Sequence, residues 1–256
     1  MVVVVANRER TLYGGAFGKL DARGTFDMST DALFLIKSMT KPVTSVAIMM
    51  LKVQGMLDLG DPVGRYLPKL KNAEVIAAFD LKPEDHNRLA SLFTRINGKF
   101  VWIQPPALYK PEVFGDQGLL ATADDYMLFL QMLLNGGQFG GKRLLTERSV
   151  EEMTRNQIGP LTVEEQPNAM LKHSNPFPFG AGEDKFGLGF QLKEREEDDA
   201  RSSGSCSWAG LYNTHFWGDL KLGIAVVLMT QALPFYDGRC IQLLMDIEKR
   251  IYRNLD

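Results

Sequence analysis

Ser38-Met39-Thr40-Lys41 lies between an apolar run, Ala32-Leu33-Phe34-Leu35-Ile36, and a helix-patterned run from Pro42 to Gln54. A serine and a lysine three apart at a helix start share one face, one turn apart. Ser38 then sits where unpaired backbone N–H groups and the positive helix end favour developing negative charge. Lys41 faces apolar neighbours, so desolvation should lower its pKa. A neutral amine one turn from a hydroxyl can take the hydroxyl proton and activate the serine against a carbonyl. The plainer reading makes Ser38 a helix cap and Lys41 a solvated first-turn residue. Ser-x-x-Lys arises about once by chance in a chain this long, so its surroundings must decide. The helix carries Val43, Val46, Ala47, Ile48, Met49, Met50, Leu51 and Val53, apolar on nearly every face, which predicts a buried helix. A lysine at the mouth of a buried helix needs a partner or a function. The tetrad alone leaves catalysis and capping both open.

The chain has 256 residues, enough for one well-filled core, and is expected to be a single domain over 1–256. Apolar residues make up 45% and charged residues 23%, the balance of an ordinary soluble globular protein. A net charge of -2 gives no electrostatic reason to expect nucleic acid or an anionic membrane as partner. Cys206 and Cys240 are too few for a disulfide framework and are expected to be reduced and buried. Met1 to Ala6 is apolar but short and runs into Asn7-Arg8-Glu9-Arg10, unlike a signal peptide. A cytoplasmic location is the corresponding expectation. No run approaches the length of a membrane span.

Val2–Ala6 and Thr11–Gly18 read as a hairpin, followed by a turn-rich link, Asp21–Thr30. The Ser38 helix ends at Gly55, and a turn at Asp58-Leu59-Gly60-Asp61-Pro62 leads into Val63–Leu70 and an apolar segment near Phe79. Pro83–Phe93 looks helical and Gly98–Tyr109 looks like an irregular strand and loop. Thr122–Asn135 is a helix with Thr122 as cap and Gly136-Gly137 as stop, and Thr146–Asn156 repeats that design. Gly159–Asp184 reads as a long surface loop over something functional. Three strands follow, Phe186–Lys193, Cys206–Trp217 and Leu222–Thr230, with the charge run Lys193–Asp199 as a solvated tip. Tyr236–Asn254 is a last amphipathic helix. The order implies an α+β fold: an antiparallel sheet built from both termini (1–30 and 186–256) and covered by helices from 31–185.

These segments resemble the serine β-lactamase and penicillin-binding-protein superfamily, above all its class C-like esterase branch, the family VIII carboxylesterases. Phe34 to Pro68, Gly118 to Tyr126, Leu133-Leu134-Asn135-Gly136-Gly137, Gly141 to Leu145, Phe186 to Phe190 and Trp208-Ala209-Gly210 to Trp217 carry the likeness in order. It covers most of the chain and implies a β-lactamase/transpeptidase-like fold. It also implies that Ser38 is the acylated nucleophile and Lys41 its general base. Trp208-Ala209-Gly210 takes the place of the Lys-Thr-Gly box. Its first residue is Lys or His in β-lactamases and often Trp in esterases of this branch, which favours neutral esters. The backbone N–H groups of Ser38 and Leu211 would form the oxyanion hole. For Trp208 the plainer reading is a packed core aromatic, and for Gly210 a strand glycine at a bulge.

The likeness breaks at one place. The family carries a Tyr-x-Asn motif, whose tyrosine completes the proton relay, in a helical lobe after Tyr66-Leu67-Pro68. Most of that lobe is missing between Ile76 and Phe79, and the pattern rejoins at Asp80-Leu81-Lys82-Pro83-Glu84. Tyr212-Asn213-Thr214 reads as strand, with Tyr212 structural. The family's N-terminal helix has no counterpart ahead of Val2. His86, His173 and His215 share no metal spacing, and no cofactor is expected. Gly-x-Ser-x-Gly does not occur. Three readings result. The first is a serine hydrolase acting on a small-molecule ester or amide. The second is a catalytically impaired binding or scaffold protein, and the third an acyltransferase using the same serine. A stripped lobe would expose apolar surface near Ile76–Phe79, so a homo-oligomer is expected.

Overall fold

The computed structural model describes residues 1–61, 65, 83–103, 115–167 and 173–255. β1 (Val2–Asn7) and β2 (Thr11–Ala16) form the opening hairpin. β3 (Phe34–Leu35) leads through a 3-10 turn, Lys37–Met39, into α1 (Thr40–Val53). Then come β4 (Phe93–Ile96), β5 (Lys99–Trp102), β6 (Leu120–Ala121), α2 (Ala123–Leu134), β7 (Gln138–Phe139), β8 (Lys142–Arg143) and α3 (Glu147–Met153). The chain closes with β9 (Lys185–Phe186), β10 (Gln191–Leu192), β11 (Cys206–Gly210), β12 (Thr214–Asp219), β13 (Ile224–Met229), β14 (Ala232–Leu233) and α4 (Gly238–Tyr252).

The main sheet has the order β2-β1-β13-β12-β11-β10-β9 and is antiparallel throughout. The first strand pairs with one of the last, Val4 opposite Val227, so both ends of the described chain build the sheet, as the sequence predicts. Helices lie on both faces. Val2, Val4 and Ala6 point into the large core with Met49, Met127 and Leu130. Val3 and Val5 point the other way, onto Trp217, Val226 and Leu244. Burial on both faces explains why β1 and β13 are unbroken apolar runs rather than alternating ones. The fold is the β-lactamase/transpeptidase-like α+β type.

Caps expected from the sequence are present. Thr122 Oγ1 accepts from Asp125 N at 3.0 Å, and Thr146 Oγ1 accepts from Ser149 N at 3.1 Å.

Several expectations need correction. The Phe186–Lys193 strand is two short strands, because Gly189 takes φ +97 and folds the chain back between β9 and β10. The Cys206–Trp217 strand is likewise a hairpin. Asn213, at φ +57, turns the chain there and donates its side-chain amide to the carbonyls of Ala232 and Pro234. Tyr212 therefore lies in a turn, buried, and not on a strand. Pro83–Phe93 is not an α-helix. It makes 3-10 turns over Pro83–Arg88 and then extends, held by Leu33 N donating to Arg88 O and Ala90 N donating to Leu33 O. α1 is buried along one side only, with Ile48, Leu51 and Val53 exposed. Lys193 is buried and paired with Glu197 at 3.1 Å instead of solvated, and Cys240 is only half-buried. The shortened-lobe junction, the segment Val63–Leu70 apart from Arg65, the exposed patch expected near Ile76–Phe79 and the loop around Tyr109 lie outside the described residues. Among the described residues, no helix is long and apolar enough to cross a membrane.

Candidate active site

Ser38 stands on a turn held from three sides. Thr214 Oγ1 donates to Ile36 O at 3.2 Å, Tyr126 Oη donates to Met39 O at 3.0 Å, and Thr40 Oγ1 accepts from Leu119 N at 3.2 Å. β3 enters this turn already fastened to β6, Phe34 opposite Ala121. Lys37, immediately before Ser38, takes φ +48, a left-handed backbone that a side chain rarely adopts. Such a conformation persists where its surroundings impose it, which is common at reactive turns. Neither the turn nor α1 uses a side-chain cap, so the capping reading of Ser38 fails.

The hydroxyl of Ser38 is engaged by Lys41 instead. Lys41 Nζ donates to Ser38 Oγ at 3.0 Å and to the Asp116 carbonyl at 3.1 Å. In the neutral amine the first bond reverses, and Ser38 O–H donates to Nζ. Burial lowers the Lys41 pKa, as the sequence predicts, while the Asp116 carboxylate, 3.8 Å away, pulls it back up. Lys37 feels the same two influences in the same order, and its ammonium lies 5.1 Å above the Tyr212 ring. Asp116→Asn removes only the opposing influence. The Lys41 pKa then falls further, more neutral base is present at a given pH, and the acid limb of the kcat/KM profile moves to lower pH. A limb that stays in place or moves up in a pH–rate series would show that another group titrates there.

β11 brings the remaining predicted residues to the same place. Gly210 passes so close to the Ser38 turn that an added Cβ would overlap the Ile36 carbonyl oxygen and Thr214 Oγ1. The close approach of two backbones, and not a bulge, requires glycine there. Gly210→Ala must push β11 off the Ser38 turn. Overpacking of this kind costs about 1–3 kcal/mol, and the melting temperature should drop accordingly with activity lost. Wild-type activity in that variant would mean the two segments need not touch. Trp208 is half-buried, edge-on to Phe186 at 5.3 Å between ring centres, and its Nε1 has no partner among the described residues. Leu211 follows the end of β11 in the turn.

Ser38, Lys41, Trp208 and Leu211 line one cavity of about 360 Å³, the lower end of the range for ligand pockets. The loop after Gly159 contributes Phe177 and Phe179 to its wall. Among the wall residues not foreseen from sequence are Arg201, His215, Phe235 and Tyr236. Burial, with the Arg201 charge a smaller cause, pushes the His215 pKa down to about 3, so its imidazole is neutral. Among the described residues no cluster of His, Cys, Asp and Glu could hold a metal ion.

The arrangement is a serine hydroxyl with an adjacent lysine amine in the wall of an apolar cavity. The family model "Beta-lactamase" matches residues 1–78 and 76–247. Protein Rv1367c of Mycobacterium tuberculosis is 24% identical over 351 residues, which take in 91% of this chain and 86% of that protein. An alignment longer than 256 residues means the relative carries residues absent here, and the two family matches meet at the junction read as a shortened lobe. The chain superposes on a mutant of Simvastatin Synthase (LovD) from Aspergillus terreus at TM-score 0.77 and 18% identity, covering 98% of this chain and 93% of that one. It superposes at TM-score 0.70 and 16% identity on EstCE1, described as a hydrolase with promiscuous acyltransferase activity, covering 97% and 93%.

Proposed function

This chain belongs to the beta-lactamase family, and from that premise we propose that it cleaves carboxylic esters through an acyl-Ser38 intermediate. The observation that carries the reading is the 3.0 Å contact between Lys41 Nζ and Ser38 Oγ at the cavity wall. Lys41 as free amine takes the Ser38 proton while Oγ attacks the ester carbonyl. The backbone N–H groups of Ser38 and Leu211 receive the oxyanion, a contribution worth about 3–4 kcal/mol per donor in comparable enzymes. Collapse breaks the bond to the alcohol, which leaves with the proton held on Lys41. Water then attacks the acyl-enzyme with Lys41 again as base, releasing the acid and restoring Ser38.

Trp208 at the first position of the box bears on substrate class. It is apolar, with a single donor and no charge, so it cannot pair with the carboxylate that penicillins carry. Arg201 also lines the cavity, but Glu248 already lies 3.7 Å from it. A missing charge-assisted hydrogen bond costs about 1.5–3 kcal/mol, roughly 10- to 100-fold. Short p-nitrophenyl esters should therefore exceed penicillin and a cephalosporin in kcat/KM by at least that margin in parallel assays. Comparable β-lactam hydrolysis would overturn the assignment of Trp208.

A second reading is acyl transfer. It needs the same acyl-Ser38 and differs only in an alcohol replacing water, and the description of EstCE1 as a hydrolase with promiscuous acyltransferase activity favours it. Product analysis with an added alcohol separates the two, ester for transfer and free acid for hydrolysis.

A further inference from the structure

We infer that the inner half of the cavity is a selectivity subsite, in which His215 hydrogen-bonds a hydroxyl carried on a flat apolar moiety of the substrate. The inference takes its reaction from the ester-hydrolase reading, but the subsite itself is a matter of binding.

The cavity has an inner half because β11 has an open edge. β10 pairs only with Cys206 and Ser207, leaving Trp208 to Gly210 without a strand partner on that side. Neighbouring residues of a strand face opposite ways. Phe216 of β12 goes with Trp208 toward the Ser38 side, and His215, opposite Ala209, goes to the α4 side. Ser38 and His215 nevertheless line the same cavity, which therefore passes round the open edge from one face of the sheet to the other.

The inner half is walled by rings. Phe177 and Phe235 meet at 4.8 Å, Phe235 and Tyr236 at 4.8 Å, and His215 stacks on Phe235 at 6.2 Å with planes 14° apart. Such walls favour a planar apolar guest. In their midst His215 is 3% exposed, and its Nε2 has no hydrogen-bond partner among the described residues. A buried nitrogen without a partner costs about 1–3 kcal/mol, which a guest can recover by supplying one. A neutral imidazole nitrogen donates or accepts according to tautomer, and a hydroxyl can meet either. An anionic guest would have to share Arg201 with Glu248, 3.7 Å from it, whereas a neutral hydroxyl meets Nε2 without the cost of desolvating a charge. A phenol-bearing ester fits this chemistry.

The test uses paired p-nitrophenyl esters of phenylacetate and 3-phenylpropionate with their para-hydroxy analogues. Hydrolysis is followed in the wild type, and binding by tryptophan fluorescence in Ser38→Ala, where no turnover intervenes. One chain length should bind at least fivefold tighter with the hydroxyl than without, about one neutral hydrogen bond. His215→Leu should bring that ratio to about one, and His215→Gln should restore part of it. Equal binding of both members of each pair overturns the subsite without need of a variant. A hydroxyl preference that survives in a folded His215→Leu protein overturns it also. Hydroxyl-selective, His215-dependent binding without hydrolysis would uphold the subsite and remove the ester-hydrolase reading instead.

Discussion

Ser38→Ala loses fluorophosphonate labelling and p-nitrophenyl ester hydrolysis together, with little change in melting temperature. The alanine removes the only atom that the proposed mechanism acylates. In serine hydrolases removal of the nucleophile costs about 10⁶-fold in kcat, and what remains comes from binding and the oxyanion donors. The structural cost is small, because Ser38 is only half-buried and serves as no cap. Among the described residues its side-chain hydrogen bond is the one with Lys41. A surface-like change of this kind stays within about 0.5 kcal/mol. Lys41→Ala should retain slow labelling, since the serine survives without its base. Ser174 and Ser207 also line the cavity, so the labelled peptide must be identified by mass spectrometry. Label on either of those serines, with Ser38 unmodified, would refute the assignment.

The parts of this site that the sequence makes legible are those where chemistry and local structure coincide. Ser38 and Lys41 are one turn apart by helical spacing alone, and the apolar runs on either side announce burial. Thr122 and Thr146 announce their helices because a cap needs only its own neighbours. The hairpin turns are hidden for a physical reason. Leu211-Tyr212-Asn213-Thr214 continues the strand-like composition of Cys206 to Trp217, and the turn rests on a single asparagine whose side chain is satisfied by the distant carbonyls of Ala232 and Pro234. Asp116 reaches Lys41 across 75 residues of chain, and no spacing rule links them. Lys37 is different, since a lysine closing the run Phe34-Leu35-Ile36 is an anomaly that could have been weighed. The aromatic half of the cavity comes from segments around 177, 215 and 235. These meet only because β12 and the chain after β14 pack beneath the loop that follows Gly159, so no local pattern reports it.

Activated esters should be hydrolysed far better than alkyl esters, and the reason is again in the residues around Ser38. p-Nitrophenolate leaves without a proton, whereas ethoxide must be protonated as the tetrahedral intermediate collapses. The family resemblance implies a relay tyrosine for that step, in the lobe that is shortened here. Among the described residues three other tyrosines pack near the site, and none hydrogen-bonds Ser38 or Lys41 through its hydroxyl. Tyr126 Oη donates to Met39 O beneath the turn. Tyr212 is buried under the Lys37 ammonium, and burial pushes its pKa up to about 12. Tyr236 lines the cavity, but its hydroxyl accepts from Phe179 N at 3.3 Å, and burial pushes its pKa up to about 12 as well. In the proposed mechanism Lys41 both removes the Ser38 proton and returns it, held between Ser38 and the Asp116 carbonyl. A positioned second acid–base group is worth about 10²–10⁴-fold, so the ratio of kcat/KM for p-nitrophenyl butyrate over ethyl butyrate should reach that range beyond their intrinsic difference in alkaline hydrolysis. Acylation should limit the ethyl ester and deacylation the p-nitrophenyl ester, visible as a burst of p-nitrophenol at high enzyme concentration. A ratio no larger than the intrinsic difference, with no burst, would mean that another group protonates the leaving alcohol. Tyr236→Phe would then be the first variant to make, because Tyr236 lines the cavity and a hydroxyl that accepts from Phe179 N keeps its own proton to donate.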